Sequence, residues 1–139
     1  MKIQNISMSD IECGNHYTVN DSTILIQIVD PDCDFPISKC GFKEVYQFKF
    51  LDIEEHDQLI VARESWRCNQ TQADELVQIL KDALHNQLDV IVHCHAGICR
   101  SGAVCEVGVM MGFEDLNGFR IPNLLVKTLM MKNLGWTYD

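Results

Sequence analysis

A chain of 139 residues, 47% hydrophobic and 22% charged, has the size and composition of one globular domain spanning residues 1–139 with a real core, not of two. Its formal net charge of −9 disfavours nucleic-acid backbones and anionic membrane surfaces as partners, although one pocket can still be locally positive. No apolar run approaches the roughly 20 residues that cross a bilayer, and MKIQNISMSD lacks the apolar stretch of a secretory leader, so a cytoplasmic protein is expected.

STILIQIVD (22–30) is apolar and β-branched and reads as a strand stopped by Asp30-Pro31. DPDCDFPISKCGF follows as a loop with two prolines. EVYQFKFLD (44–52) sets Val45, Gln47 and Lys49 against Tyr46, Phe48 and Phe50, a strand with a buried face. EEHDQLIVARESWRCNQ (54–70) reads as a loop with a short helical turn. In it Trp66 is expected to pack, and Arg63 and Arg67 are exposed cations. Thr71 reads as the N-cap of a helix over 72–86, with Leu76, Ile79, Leu80, Ala83 and Leu84 on one face.

LDVIVHC (88–94) has the β-branched character of a central strand. From Ser101 onward, SGAVCEVGVMMGF is apolar almost all round and suits a buried helix. PNLLVKTLMMKNLG (122–135) reads as a last helix, with proline in the first turn and Gly135 at the end. Met110, Met111, Met130 and Met131 read as core filling, and His56 and His85 as solvent-facing. Strands alternating with helices predict an α/β domain with a central, largely parallel sheet flanked by helices. Such sheets bind ligands at the carboxyl ends of their strands.

VIVHCHAGICRSG (90–102) concentrates chemistry at one of these ends. His93, Cys94, His95 and Cys99 are acceptable zinc ligands by type, but three are consecutive and point to alternate sides of a strand, so no metal is expected. Seven cysteines without a leader argue against a disulfide framework, which leaves a redox pair or a phosphate cradle. The stretch has the form cysteine, five residues, arginine, serine, on a turn from strand to helix. Such a turn aims backbone N–H groups and a helix dipole at an anion. Gly97 permits a positive φ, and Arg100 offers a planar fork of donors to phosphate oxygens. The same positive surroundings favour the thiolate of Cys94, an in-line nucleophile at the base of the cradle. Ser101 can hydrogen-bond the sulfur and help it leave, and His93 supports the loop backbone.

HCHAGICRS resembles the H-C-x5-R-[ST] signature of the cysteine-dependent protein tyrosine and dual-specificity phosphatases. The order of YQFKFLD, a loop, a helix, VIVHCHAGICRSGAV and IPNLLVKTLM is similar to that of compact dual-specificity members, over roughly residues 20–135. The resemblance implies a compact dual-specificity-phosphatase-like fold and no cofactor. It implies Cys94 as nucleophile, with phosphate held by His95, Ala96, Gly97, Ile98, Cys99 and Arg100. It also implies an aspartate that protonates the leaving oxygen, with Asp52 the first candidate, Asp57 the second, and Glu54 and Glu55 weaker ones. The implied substrate is a phosphorylated protein or peptide carrying phosphotyrosine, with phosphoserine and phosphothreonine as further candidates. His95, Ala96, Ile98 and Cys99 bring no lysine or arginine, which argues against phosphoinositides.

The C-x4-C-R-S spacing also resembles the loop of low-molecular-weight tyrosine phosphatases, which implies a reversible Cys94–Cys99 disulfide on oxidation. Two rival functions stand beside the phosphatase. One is a non-catalytic phosphate-binding module of the same fold. The other is a small redox protein built on Cys94 and Cys99, in which Gly97 and the Arg-Ser pair would have no role.

Overall fold

A computed structural model describes residues 1–53, 66–116 and 119–136. Its five strands are β1 (Lys2–Ser7), β2 (Thr23–Val29), β3 (Val45–Lys49), β4 (Asp89–Cys94) and β5 (Glu114–Asp115). They pair in the order β3-β2-β4-β1-β5, and every pairing is parallel. The helices are α1 (Met8–Cys13), α2 (Gln70–His85), α3 (Arg100–Met111) and α4 (Leu124–Asn133). The domain is therefore α/β, a parallel sheet flanked by helices, and no helix among the described residues is long and apolar enough to cross a membrane.

The strand positions follow from side-chain chemistry. β2 is buried at all seven positions of TILIQIV, as a run covered on both faces must be. β3 lies at the sheet edge with Phe48 buried and Val45, Gln47 and Lys49 exposed, the alternation its sequence predicts. β1 and α1 were not predicted. In β1 the buried set is Ile3, Asn5 and Ile6, so a polar residue stands where the pattern needs an apolar one. α1 is six residues long, capped by Ser7, whose side chain accepts from Asp10 N, and closed by Gly14 in the left-handed region.

Two helix starts differ from expectation. α2 begins at Gln70 with Asn69 as its cap, not Thr71. The Asn69 side chain accepts from Gln72 N (2.8 Å) while Gln72 Oε1 accepts from Asn69 N (3.1 Å). This reciprocal pair satisfies two orphan amides where Thr71 would satisfy one. α4 begins at Leu124 behind the cap Asn123, so Pro122 precedes the helix and does not occupy its first turn.

The main core packs α2, α3 and α4 on one face of the sheet against Ile24, Ile26, Ile28, Val90 and Val92. The opposite face is covered more thinly: Ile6, Leu25 and Ile91 meet Ile11 of α1 and the side chains of Tyr17, Val19 and Phe42. Met130 and Met131 are buried, whereas Met110 is 46% exposed, a correction to its reading as core. Trp66 is 40% exposed, so it packs only in part. Because the sheet is parallel, β1, β2, β3 and β4 all end at one edge, bringing the chain after Ser7, Val29, Lys49 and Cys94 together.

Candidate active site

β4 ends at Cys94, which is 2% exposed, and five residues lead from it to the first residue of α3, Arg100. The carbonyls of this turn are held from outside it. His95 O accepts from Met8 N (3.1 Å), Ile98 O from Ile121 N (3.2 Å), and Cys99 O from Asn123 N (2.9 Å) and Ala103 N (2.9 Å). Gly97 O accepts from Asn5 Nδ2 at 2.7 Å. No peptide bond among the described residues is cis, so in each plane the next N–H points opposite to its carbonyl. The N–H groups of Ala96, Ile98, Cys99 and Arg100 are therefore turned toward the inside of the turn, at the N-terminus of α3. That is the arrangement of an anion-binding nest.

Gly97 makes the turn possible. Its φ is +75°, and a Cβ there would lie 2.3 Å from Ile6 C and 2.5 Å from Ser7 N. The loop is thus pressed against the backbone of β1, where a side chain cannot fit.

Ser101 is fully buried, with its Oγ 3.1 Å from Cys94 Sγ. Arg100 is 4% exposed. Its Nη1 donates to Asp30 Oδ1 (2.7 Å) and Phe50 O (2.8 Å). Its Nε is buried and bonds no protein atom. A buried guanidinium nitrogen without an acceptor is costly, and an oxyanion in the nest is the partner its chemistry calls for.

His93 lies beneath the turn with 0% exposure, and its Nδ1–H donates a long bond to Cys94 O (3.4 Å). Burial pushes its pKa down to about 4, so the ring stays neutral while it is folded. An unfolded His93 takes up a proton below about pH 6.5, whereas the folded one does so only near pH 4. Stability is therefore expected to fall as pH drops through that window, by up to about 3 kcal/mol from this group. Urea unfolding at a series of pH values should show this slope, and His93→Gln should lack it. An unchanged slope in the variant would assign the pH dependence elsewhere.

Asp52 is exposed, and its Oδ1 accepts from Asn123 Nδ2 (2.8 Å). Asn123 is 1% exposed and ties four points together. Its Nδ2 also donates to Ile53 O (3.2 Å), its N–H to Cys99 O, and its Oδ1 caps α4 by accepting from Val126 N. Asp52 is thus linked to the turn through one buried residue, by its side chain on one side and its backbone N–H on the other. Asp57, Glu54, Glu55, His56 and Arg63 lie outside the described residues. His95 and Ala96 are exposed at the mouth, and Ile98 and Cys99 are half-buried. Elsewhere, burial pushes the thiol of Cys68 up to about 12 and that of Cys105 higher still, so both stay protonated.

Sequence reading missed Asp30, Asn5 and Asn123. Asn123 carried a usable signal, an asparagine directly before an apolar helical run. Asp30 carried a weaker one, since it follows a strand predicted to end at the same sheet edge. Asn5 carried none.

No protein-family model matches the chain, and no curated relative does. Among solved structures it is similar to OH1 from the Orf virus, described as a tyrosine phosphatase with triple substrate specificity, at 17% identity and a TM-score of 0.49. The match covers 79% of this chain and 56% of that one, so this chain spans little more than half the length of that structure.

Proposed function

We propose that the protein is a cysteine-dependent phosphomonoesterase acting on phosphorylated proteins or peptides, with phosphotyrosine as the principal group and phosphoserine or phosphothreonine as further ones. What supports this reading is the turn itself: the carbonyls of His95, Gly97, Ile98 and Cys99 bonded outside it, a buried Arg100 Nε without an acceptor, and a buried Cys94 whose sulfur lies 3.1 Å from Ser101 Oγ. A redox pair has no use for the inward amides or the arginine.

In the proposed mechanism the phosphoryl oxygens lie on the inward amides and the free edge of Arg100. Cys94 attacks phosphorus as thiolate while the bond to the leaving oxygen breaks, and Asp52 gives that oxygen a proton. Asp52 then takes a proton from water, which attacks the thiophosphate. The sulfur leaves as thiolate, helped by the Ser101 hydroxyl 3.1 Å away, and inorganic phosphate departs. Asn123 holds the carboxyl of Asp52 from below.

The direct test is hydrolysis of p-nitrophenyl phosphate by the reduced protein with EDTA present. Turnover supports the enzyme. A folded protein that binds tungstate but never turns over would be the phosphate-binding module instead. With Asp52→Asn, kcat is expected to fall on the order of 10²–10⁴-fold on substrates whose leaving groups need a proton. It should fall far less on aryl esters with acidic leaving groups. Equal losses on both would remove Asp52 from the acid role.

The same reading extends to oxidation. After mild peroxide, Cys94 and Cys99 are expected to join in a disulfide that thiols reverse with recovery of activity. Peptide mapping that finds Cys94 only as sulfinic acid, or paired elsewhere, would exclude it.

A further inference from the structure

The geometry points to Asp30 as a positioning residue of the phosphate site, one that sets the plane of the Arg100 guanidinium. This rests on the reading of the Cys94 turn as a phosphate cradle. Two acceptors share a single nitrogen of Arg100: Nη1 donates to Asp30 Oδ1 at 2.7 Å and to Phe50 O at 2.8 Å. The two hydrogens of Nη1 lie in the guanidinium plane, so fixing both fixes the plane. It also commits the Nη1 end to the protein and leaves Nε, buried and without a partner, for an oxyanion.

An exposed ion pair would do little of this, because solvent competes for both partners. Here the arginine side chain is 5% exposed, and only the aspartate, at 38%, meets water. Asp30 is itself well placed to hold position. It directly follows β2, and its carbonyl accepts from Cys33 N (3.0 Å), closing a tight turn. The same loop is fastened to the sheet where Gln27 Nε2 donates to Pro36 O (3.0 Å), and Gln27 is steadied by Gln47 Nε2 (2.9 Å). Gln27 is 3% exposed, and its side-chain amide makes both of these contacts. The chain of contacts therefore runs from the sheet through Gln27, the 30–36 loop and Asp30 to Arg100.

The test compares wild type, Asp30→Ala and Asp30→Asn, each also in an Arg100→Lys background. Two quantities are read: p-nitrophenyl phosphate kinetics and the affinity for tungstate, which needs no turnover. Misorienting the arginine is expected to lower kcat about 10- to 100-fold in Asp30→Ala, more than it raises KM, and to weaken tungstate binding. The thermal midpoint should fall by a few degrees, because a buried cation loses one partner, so both quantities are read well below it. Asp30→Asn keeps an oxygen acceptor of the same shape and should recover a large part of both. In the Arg100→Lys background no planar fork remains to be oriented, so Asp30→Ala should change either quantity by less than about 3-fold. Wild-type values in Asp30→Ala would overturn the inference, and so would equal losses in both backgrounds. If the wild type shows no turnover, the phosphatase reading fails, and the tungstate affinities alone decide the role of Asp30.

Discussion

Replacing Cys94 with serine is expected to lower turnover on the order of 10⁴-fold or more while leaving oxyanion binding intact. The serine hydroxyl is smaller, holds its proton at neutral pH and has no adjacent base in the described site. His93 has its Nδ1 directed at a backbone carbonyl beneath the turn. The inward amides and Arg100 do not depend on the sulfur, so tungstate should still bind. Losses of this size follow when a covalent nucleophile is removed and only binding and charge stabilisation remain. Burst kinetics on wild type, and trapping of phosphate on Cys94 by rapid acid quench, would test the same step from the other side. A serine variant that retains full activity would mean that no thiophosphate forms.

Gly97→Ala is expected to be the most damaging methyl group added at any described glycine. An L-residue at φ +75° costs about 1–2 kcal/mol. The new Cβ would also fall 2.3–2.6 Å from backbone atoms of Ile6 and Ser7, which cannot rotate away as a side chain could. Either β1 shifts in the sheet or the turn lifts off it. The first loses stability, for a total of about 2 kcal/mol or more and a melting midpoint several degrees lower. The second breaks the bond from Asn5 Nδ2 to Gly97 O and tilts the Ile98 amide, so activity should drop on the order of 10²-fold. Thermal unfolding and kinetics on one preparation decide which occurs. An alanine variant with wild-type midpoint and rate would show that the turn is not pressed on β1.

Six elements could be read from local pattern, because each obeys one rule along its own length. β2 and β4 are β-branched runs, β3 alternates, α2 is amphipathic, α3 is apolar throughout and α4 carries a proline-asparagine start. β1 escaped because Asn5 faces inward, and its reason for doing so lies far along the chain, at Gly97 O and Phe119 O. Cys94, Arg100 and Ser101 were legible as a group since they share one turn. Asp30, Asn5 and Asn123 were not, since their roles exist only once parallel strands have brought distant segments to one edge. The N-cap of α2 was misplaced by two residues because a capping box at Asn69 and Gln72 competes with Thr71 for the same helix.

The buried bond from Asn123 N to Cys99 O, with Asn5 on the other side of the same turn, has a consequence for biosynthesis. β1 precedes β2 and β3 in the chain, yet its neighbours in the sheet, β4 and β5, come after both. A nascent chain therefore presents β1 well before its strand partners and the clasp at residue 123 have been made. Until then it has neither a complete sheet nor the clasped turn after Cys94, and the apolar faces of its strands are exposed to other chains. Cys94 thus reaches its buried place only once the segment through Asn123 has been made, and a chain that stops short of Asn123 should yield an aggregation-prone fragment.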